Sequence, residues 1–139
     1  MRFGDRRQSI DEMRVRRAIP TCLLCVTLLT AGASSWAAAP SKAARAEIQQ
    51  LLAFVANSGC QFNRNGTWYP APEASAHLAD KERYLAERGQ IASAEDFIAK
   101  AATKSSMTGK PYTVRCGSEP AVTSAEWLSA ELRQFRQGR

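Results

Sequence analysis

Five side chains that could bind an anion are spread over the middle of this 139-residue sequence. One lies beside an Asn-Gly dipeptide, two are four residues apart, and two adjacent hydroxyls follow a helical pattern. Guanidinium and ammonium groups hold phosphate, sulfate or carboxylate, and hydroxyls add hydrogen bonds to the same ligands. The sequence therefore predicts an anion-recognition site, provided that the fold brings together Arg64, His77, Lys81, Ser105 and Ser106.

Each of these residues also has an ordinary structural explanation. Arg64 could pair with Asp80 or Glu95, and His77 could pack against Tyr84. The two serines could hydrogen-bond to backbone carbonyls one turn earlier. Whether the five side chains surround one open point decides between the two explanations.

The same residue types leave open a small hydrolase or transferase. In that alternative Ser105 or Ser106 is the nucleophile, and His77 or Lys81 is its base. The sequence has neither the GxSxG nor the SxxK motif of common serine enzymes. We therefore assign no catalytic residue, and a non-catalytic protein is the stronger interpretation. No cofactor is implied, and a single histidine without a paired ligand motif predicts no metal site.

Two further segments could contact a protein partner. Residues 106–112 (SMTGKPY) loosely resemble the Ser/Gly/Tyr loops with which small periplasmic lysozyme inhibitors close a glycosidase cleft. That resemblance implies, as an alternative, an inhibitor of a cell-wall enzyme, although many such inhibitors are β-barrels. Trp68 and Tyr69 could form a surface for a partner or a sugar, and half-buried strand aromatics are the commoner explanation.

The first 37 residues have the parts of a secretory signal peptide in the expected order. Arg14, Arg16 and Arg17 form a basic segment, an apolar run covers 22–29, and small residues follow over 31–39. We expect cleavage after Ala37, a periplasmic location, and one small mature domain over 38–139. Met13 begins a compact basic segment and is an alternative start. An uncleaved membrane anchor is the other alternative, but the apolar run is shorter than the roughly 20 residues that a spanning helix needs. We therefore expect cleavage, and no stable membrane insertion of the mature domain.

Half of the net positive charge lies in the predicted signal peptide. The chain has 19 Lys/Arg and 13 Asp/Glu, for a net charge of +6. Residues 1–37 hold six of the basic and three of the acidic side chains, which leaves 13 and 10, an excess of +3. Without a dense basic run, this predicts no nucleic-acid binding. The partners that fit are an anionic envelope ligand or an envelope protein.

Cys60 and Cys116 are the two cysteines of the predicted mature domain. In an oxidising compartment they can form a single intramolecular disulfide. A loop of this length contributes about 4 kcal/mol in the chain-entropy model. Zinc binding is the alternative, but the domain has one histidine to offer.

The elements that must position these residues form an α+β domain in the order α-β-β-α-α-β-α. Four helices are expected to pack on a three-stranded antiparallel sheet, closed by one disulfide. The helices are predicted over about 42–57, 72–88 and from the N-caps Ser93 and Thr123 or Ser124. The strands are predicted over 60–64, 67–69 and 112–116, with Asn65-Gly66 as a type I′ turn.

Two pairs of segments resemble the YfeK-like family of exported bacterial proteins. They are residues 62–66 (FNRNG) with 77–81 (HLADK), and 93–98 (SAEDFI) with 105–112 (SSMTGKPY). The resemblance covers roughly 45–116. That family is a domain of unknown function, so the resemblance implies export and no mechanism, cofactor or catalytic residue.

Overall fold

The computed structural model describes residues 39–138, and these form an α+β fold as expected. The predicted signal peptide, its cleavage point and both candidate start residues lie outside the described residues. In chain order the elements are α1 (Lys42–Asn57), β1 (Gln61–Arg64), β2 (Thr67–Pro70), α2 (Ala71–Ala86), α3 (Ala94–Phe97, continued by a π-helical turn, Ile98–Ala102), β3 (Thr113–Arg115), β4 (Val122–Thr123) and α4 (Ser124–Gln137). No helix within 39–138 is long and apolar enough to cross a membrane.

Helix α1 begins where its capping residue predicts. The Ser41 hydroxyl accepts a hydrogen bond of 3.1 Å from the backbone N–H of Ala44, which satisfies one of the free donors of the first turn. Ile48, Leu51 and Val55 recur at helical spacing and are fully buried, so this face of α1 forms the centre of the core.

The β1–β2 hairpin turns at Asn65 and Gly66. Both residues have positive φ, at 55° and 94°, as the expected type I′ turn requires. The Gly66 N–H donates to the Asn63 side-chain oxygen over 3.0 Å, which closes the turn further. The hairpin therefore has a fixed register, with Phe62 opposite Tyr69.

The sheet has four antiparallel strands rather than the predicted three, in the order β2-β1-β3-β4. The additional strand, β4, pairs Val122 with Val114 directly before α4. The element order is therefore α-β-β-α-α-β-β-α. A strand of two residues is too short to show the alternation by which strands are recognised, so the sequence pattern missed it.

The disulfide between Cys60 and Cys116 is present, which confirms the predicted pairing and leaves neither thiol for zinc. It joins the residue before β1 to the residue after β3, with the two Cα atoms 4.4 Å apart. Because β1 and β3 are paired neighbours, the covalent link reinforces the middle of the sheet.

The two faces of the sheet differ. Phe62 and Val114, opposite each other on β1 and β3, are buried among the helices. On the other face the Arg115 guanidinium lies 4.4 Å from the ring centroid of Trp68, which is 36% exposed. Successive residues of a strand point to opposite faces, so Trp68 and Tyr69 cannot serve the single aromatic surface considered above.

Candidate functional site

All five predicted site residues line one open groove of about 520 Å³. Arg64 ends β1, His77 and Lys81 lie one turn apart on α2, and the two serines follow α3. Three segments distant in sequence therefore meet at this groove. The complete lining is Arg64, Asn65, Thr67, Tyr69, His77, Asp80, Lys81, Ser105, Ser106, Met107 and Tyr112.

Helix α2 directs His77 and Lys81 towards the groove because its apolar stripe faces the core. Ala74 and Leu78 are buried, and they set the rotation of the helix about its axis. His77 and Lys81, four residues apart, then lie on one flank beside that stripe. Pro70 precedes the helix and Pro72 lies in its first turn, where the missing N–H costs nothing.

Tyr112 is buried and contacts both His77 and Lys81 of α2. The Nε2 atom of His77 is 3.5 Å from the Tyr112 hydroxyl, and the two rings meet edge to face. The ammonium nitrogen of Lys81 lies 5.2 Å from the centroid of the same ring and donates a 2.7 Å hydrogen bond to the backbone carbonyl of Lys104. Neither partner neutralises the charge of Lys81.

Arg64 is held by an aromatic ring rather than by a carboxylate. Its guanidinium carbon lies 4.7 Å from the ring centroid of Tyr69, and Nη2 donates to the Tyr69 hydroxyl over 3.3 Å. A planar guanidinium stacked in this way keeps its remaining N–H donors at its edge, where they can reach a carboxylate or phosphate. Arg64 therefore enters the groove already oriented.

The alternative pairings of Arg64 and His77 are wrong. Asp80 pairs with Arg83 at 2.8 Å, and Glu95 pairs with Arg136 at 2.6 Å. Asp80 thus pairs within its own helix, and Glu95 pairs with an arginine of α4, so neither carboxylate pairs with Arg64. Tyr84 is exposed and stacks on an arginine of its own helix, Arg88, so His77 packs against Tyr112 instead.

The spacing of the apolar residues predicts that Ser105 and Ser106 end a helix, but the helix ends before them, at Ala102. Helix α3 changes to a π-helical turn that ends at Ala102, where the Thr103 hydroxyl donates to the Ile98 carbonyl over 2.7 Å. The chain then forms a loop, residues 103–112, closed by a 2.9 Å hydrogen bond from the Tyr112 N–H to the Thr103 carbonyl. The wider π turn interrupts the spacing of 3.6 residues on which the prediction depended.

Ser105 holds this loop together and fastens it to the β1–β2 turn. Its hydroxyl oxygen accepts from the N–H groups of Met107 and Thr108, each at 3.3 Å, and from the Asn65 side-chain amide at 3.4 Å. The Thr108 hydroxyl donates to the other end of the Asn65 amide over 2.6 Å. We call Asn65, Ser105 and Thr108 the turn–loop network. Ser105 thus accepts from N–H groups that follow it and is not bonded to earlier carbonyls, while Ser106 is exposed at the rim.

The electrostatics of the groove disfavour additional positive charge. Burial lowers the pKa of His77, the positive charges of Arg64 and Lys81 lower that pKa further, and Asp80 opposes them. Burial also lowers the pKa of Lys81. Burial raises the pKa of Tyr112, against the influence of Arg64. A bound anion would compensate this local excess of positive charge.

The geometry gives the serine-nucleophile alternative no support. Within residues 39–138, neither His77 nor Lys81 hydrogen-bonds to a serine hydroxyl; they contact Tyr112 and the Lys104 carbonyl. A serine nucleophile is activated by a base within hydrogen-bond reach. The described residues also contain no group of three or more His, Cys, Asp or Glu that could hold a metal ion.

The segment 106–112, the candidate inhibitor loop, does not expose the tyrosine that the resemblance to lysozyme inhibitors implies. Tyr112, its one aromatic residue, is buried beneath Lys81. Met107 instead is 94% exposed at its tip. The loop thus forms a wall of the groove, and Met107 rather than Tyr112 is its exposed tip.

Sequence reasoning missed three residues that shape the groove: Asn65, Tyr69 and Tyr112. Asn65 was explained by its turn conformation alone, although an amide there can also bridge to another segment. Tyr69 was identified as a strand aromatic and Tyr112 as a strand residue, and strand alternation could have placed Tyr69 on the same face as Phe62.

Comparison with known proteins gives one family. A model described as a family of unknown function, DUF5329, matches residues 42–136, which extend from α1 into α4. No curated protein and no solved structure matches this sequence significantly.

Proposed function

Because this chain belongs to DUF5329, a family of unknown function, its role has to be inferred from the groove, and we propose that it is a non-catalytic protein that binds an anionic ligand there. The proposal depends on one observation above all. Two basic side chains, Arg64 and Lys81, line the same groove as His77. Within residues 39–138 neither Arg64 nor Lys81 forms an ion pair.

The form of the groove supports a small organic ligand. Its volume, about 520 Å³, falls within the range of small-molecule sites. Tyr69 and Tyr112 supply aromatic walls, and Asp80, the one carboxylate of its lining, pairs with Arg83. The lining therefore combines apolar surface with cationic groups that lack a carboxylate partner.

We further propose that the protein is exported to the periplasm and meets its ligand in the envelope. The order of charged, apolar and small residues over 1–37 supports export. The Cys60–Cys116 disulfide is compatible with it, since disulfides persist in oxidising compartments. The envelope is also rich in anionic polymers and their fragments, the ligand class that the groove fits.

The test is an NMR titration of the protein with inorganic phosphate and with a sugar phosphate, glucose 1-phosphate. We expect signals of His77, Ser105 and Ser106 to shift. Arg64→Gln and Lys81→Gln should each weaken binding by roughly tenfold, because a hydrogen bond to a charged group contributes about 1.5–3 kcal/mol.

Arg115→Gln is the matched control. Arg115 also stacks on a strand aromatic, Trp68, but on the opposite face of the sheet. Its replacement should leave the affinity unchanged. The proposal is rejected if neither probe shifts a signal of the groove, or if Arg115→Gln weakens binding as much as Arg64→Gln.

A further inference from the structure

A second, smaller cavity adjoins the groove, and we call it the slot. Its volume is about 40 Å³, and its surface is almost entirely apolar. Phe62, Ala74 and Leu78 contribute core side chains to it. The slot lies next to the groove, because four residues line both cavities: Arg64, Tyr69, His77 and Tyr112.

The size of the slot limits what can enter it. One water-sized group needs roughly 10–15 Å³ of such space, so the slot holds about three of them. Asn63, Glu73 and Ser124 also line the slot, but almost all of its accessible surface is apolar, so a water molecule there would find few of the two to four polar partners that it requires. A short hydrocarbon group needs none, and it would replace water along Phe62 and Leu78.

We propose that the ligand is a small organic anion in which an acidic group adjoins an apolar group about the size of a propyl chain. This rests on the proposed function, because the acidic group contacts Arg64 and Lys81 in the groove. The apolar group enters the slot beside the Tyr112 ring. Arg64 and His77 border both cavities, so the acidic and apolar groups of the ligand must lie close together.

The experiment compares probes that differ only in the apolar group. Methyl phosphate and propyl phosphate, and likewise acetate and butyrate, are titrated into the protein by calorimetry. Each methylene that leaves water should raise affinity about fourfold, so the longer probe of each pair, which has two more methylenes, should bind roughly fifteenfold more tightly.

Ala74→Val tests the location of the gain. Ala74 lines the slot, and two added methyl groups fill it without changing any charge. The advantage of propyl over methyl phosphate should disappear. Ala76→Val is the control, because Ala76 is exposed on the same helix and its replacement should keep the advantage.

A measurement on the unaltered protein covers the case in which Ala74→Val does not fold. Intermolecular nuclear Overhauser effects should connect the propyl protons with Leu78 and Phe62. Their absence in a propyl phosphate complex overturns the inference.

The outcomes separate the two proposals. Equal binding of short and long probes at the groove overturns the slot inference and leaves the anion site standing. An advantage that survives Ala74→Val places the apolar group elsewhere and also overturns it. If no probe binds at the groove, the proposed function fails and this inference fails with it.

Discussion

At the scale of single residues, Tyr112 connects the parts of the groove. Its ring faces Lys81, its hydroxyl meets His77, and its backbone N–H closes the loop to Thr103. A movement of the loop would therefore displace the ring that His77 and Lys81 both contact. Tyr112 also borders the slot, so one side chain is in position to contact both parts of a ligand.

The lowered pKa of His77 predicts how anion binding depends on pH. The titratable or charged groups around this side chain are Arg64 on β1, Lys81 and Asp80 on α2, and Tyr112 before β3. With its pKa below 6.5, His77 is neutral in the free protein at pH 7.5. A bound anion favours the protonated ring and raises this pKa, so affinity must increase as pH falls through the pKa of the complex and level off below that of the free protein.

Titration with inorganic sulfate, which keeps its charge over pH 5–8, measures this effect. A charge-assisted hydrogen bond exceeds a neutral one by roughly 1 kcal/mol, so the affinity should rise about fivefold. His77→Gln should make the affinity independent of pH across this range. A pH dependence that persists in His77→Gln would assign the proton to another group.

At the scale of elements, the turn–loop network fixes the loop, residues 103–112, against the β1–β2 hairpin. Two neighbouring serines of the loop test this. Ser105 is 5% exposed and its hydroxyl accepts from three donors, whereas Ser106 is exposed. Ser105→Ala should lower the free energy of unfolding by about 1–3 kcal/mol, because partly buried donors lose their acceptor.

Ser106→Ala is the control and should change the free energy of unfolding by less than about 0.5 kcal/mol. Urea unfolding of both variants, with the m-value compared, measures the difference. Equal stability of the two variants would show that the hydrogen bonds of Ser105 contribute little to holding the loop.

The elements were predictable where one residue determines a local conformation. Ser41 and Ser93 cap their helices as expected, each accepting from the N–H three residues later. Asn65 and Gly66 determine the turn. Val122 could not be recognised as a strand residue because β4 has only two residues, too few to show the alternation of a strand. The π turn was missed because helical periodicity alone contains no signal for a widened turn.

The groove was predictable in its residue types and less so in their roles. Arg64, His77 and Lys81 could be chosen for their charge, and the spacing of the latter two placed them on one flank. Arg64 contacts Tyr69 because of the hairpin register, and Asp80 is already paired with Arg83. The sequence pattern does not show which of these possible partners each side chain takes. Ser105 was chosen as a ligand donor, and its hydroxyl turned out to be engaged in the loop.

At the scale of the whole molecule, the disulfide limits the freedom of the unfolded chain. It closes a loop with a sequence separation of 56 residues, and the chain-entropy model gives about 4 kcal/mol for such a loop. The double variant Cys60→Ser, Cys116→Ser should lose most of this amount. For a domain of this size, that is a large fraction of a typical total stability of 5–15 kcal/mol.

Thermal unfolding of the oxidised protein, of the protein reduced with dithiothreitol and of the double variant measures this loss. The reduced protein and the variant should melt at similar, lower temperatures, and added reductant should leave the variant unaffected. If the oxidised and reduced forms melt together, the disulfide contributes nothing to stability.

The position of the disulfide also determines how the protein responds to proteases. Residues 106–111 are exposed, and Met107 is almost fully accessible, at 94%. A single cut in this segment separates Arg64, His77 and Lys81 on one fragment from Tyr112 on the other. Cys60 and Cys116 lie on either side of the cut, so the two fragments stay covalently joined. A nicked molecule therefore runs as one band on a non-reducing denaturing gel and as two bands after reduction. The residues of its groove are then divided between the two fragments.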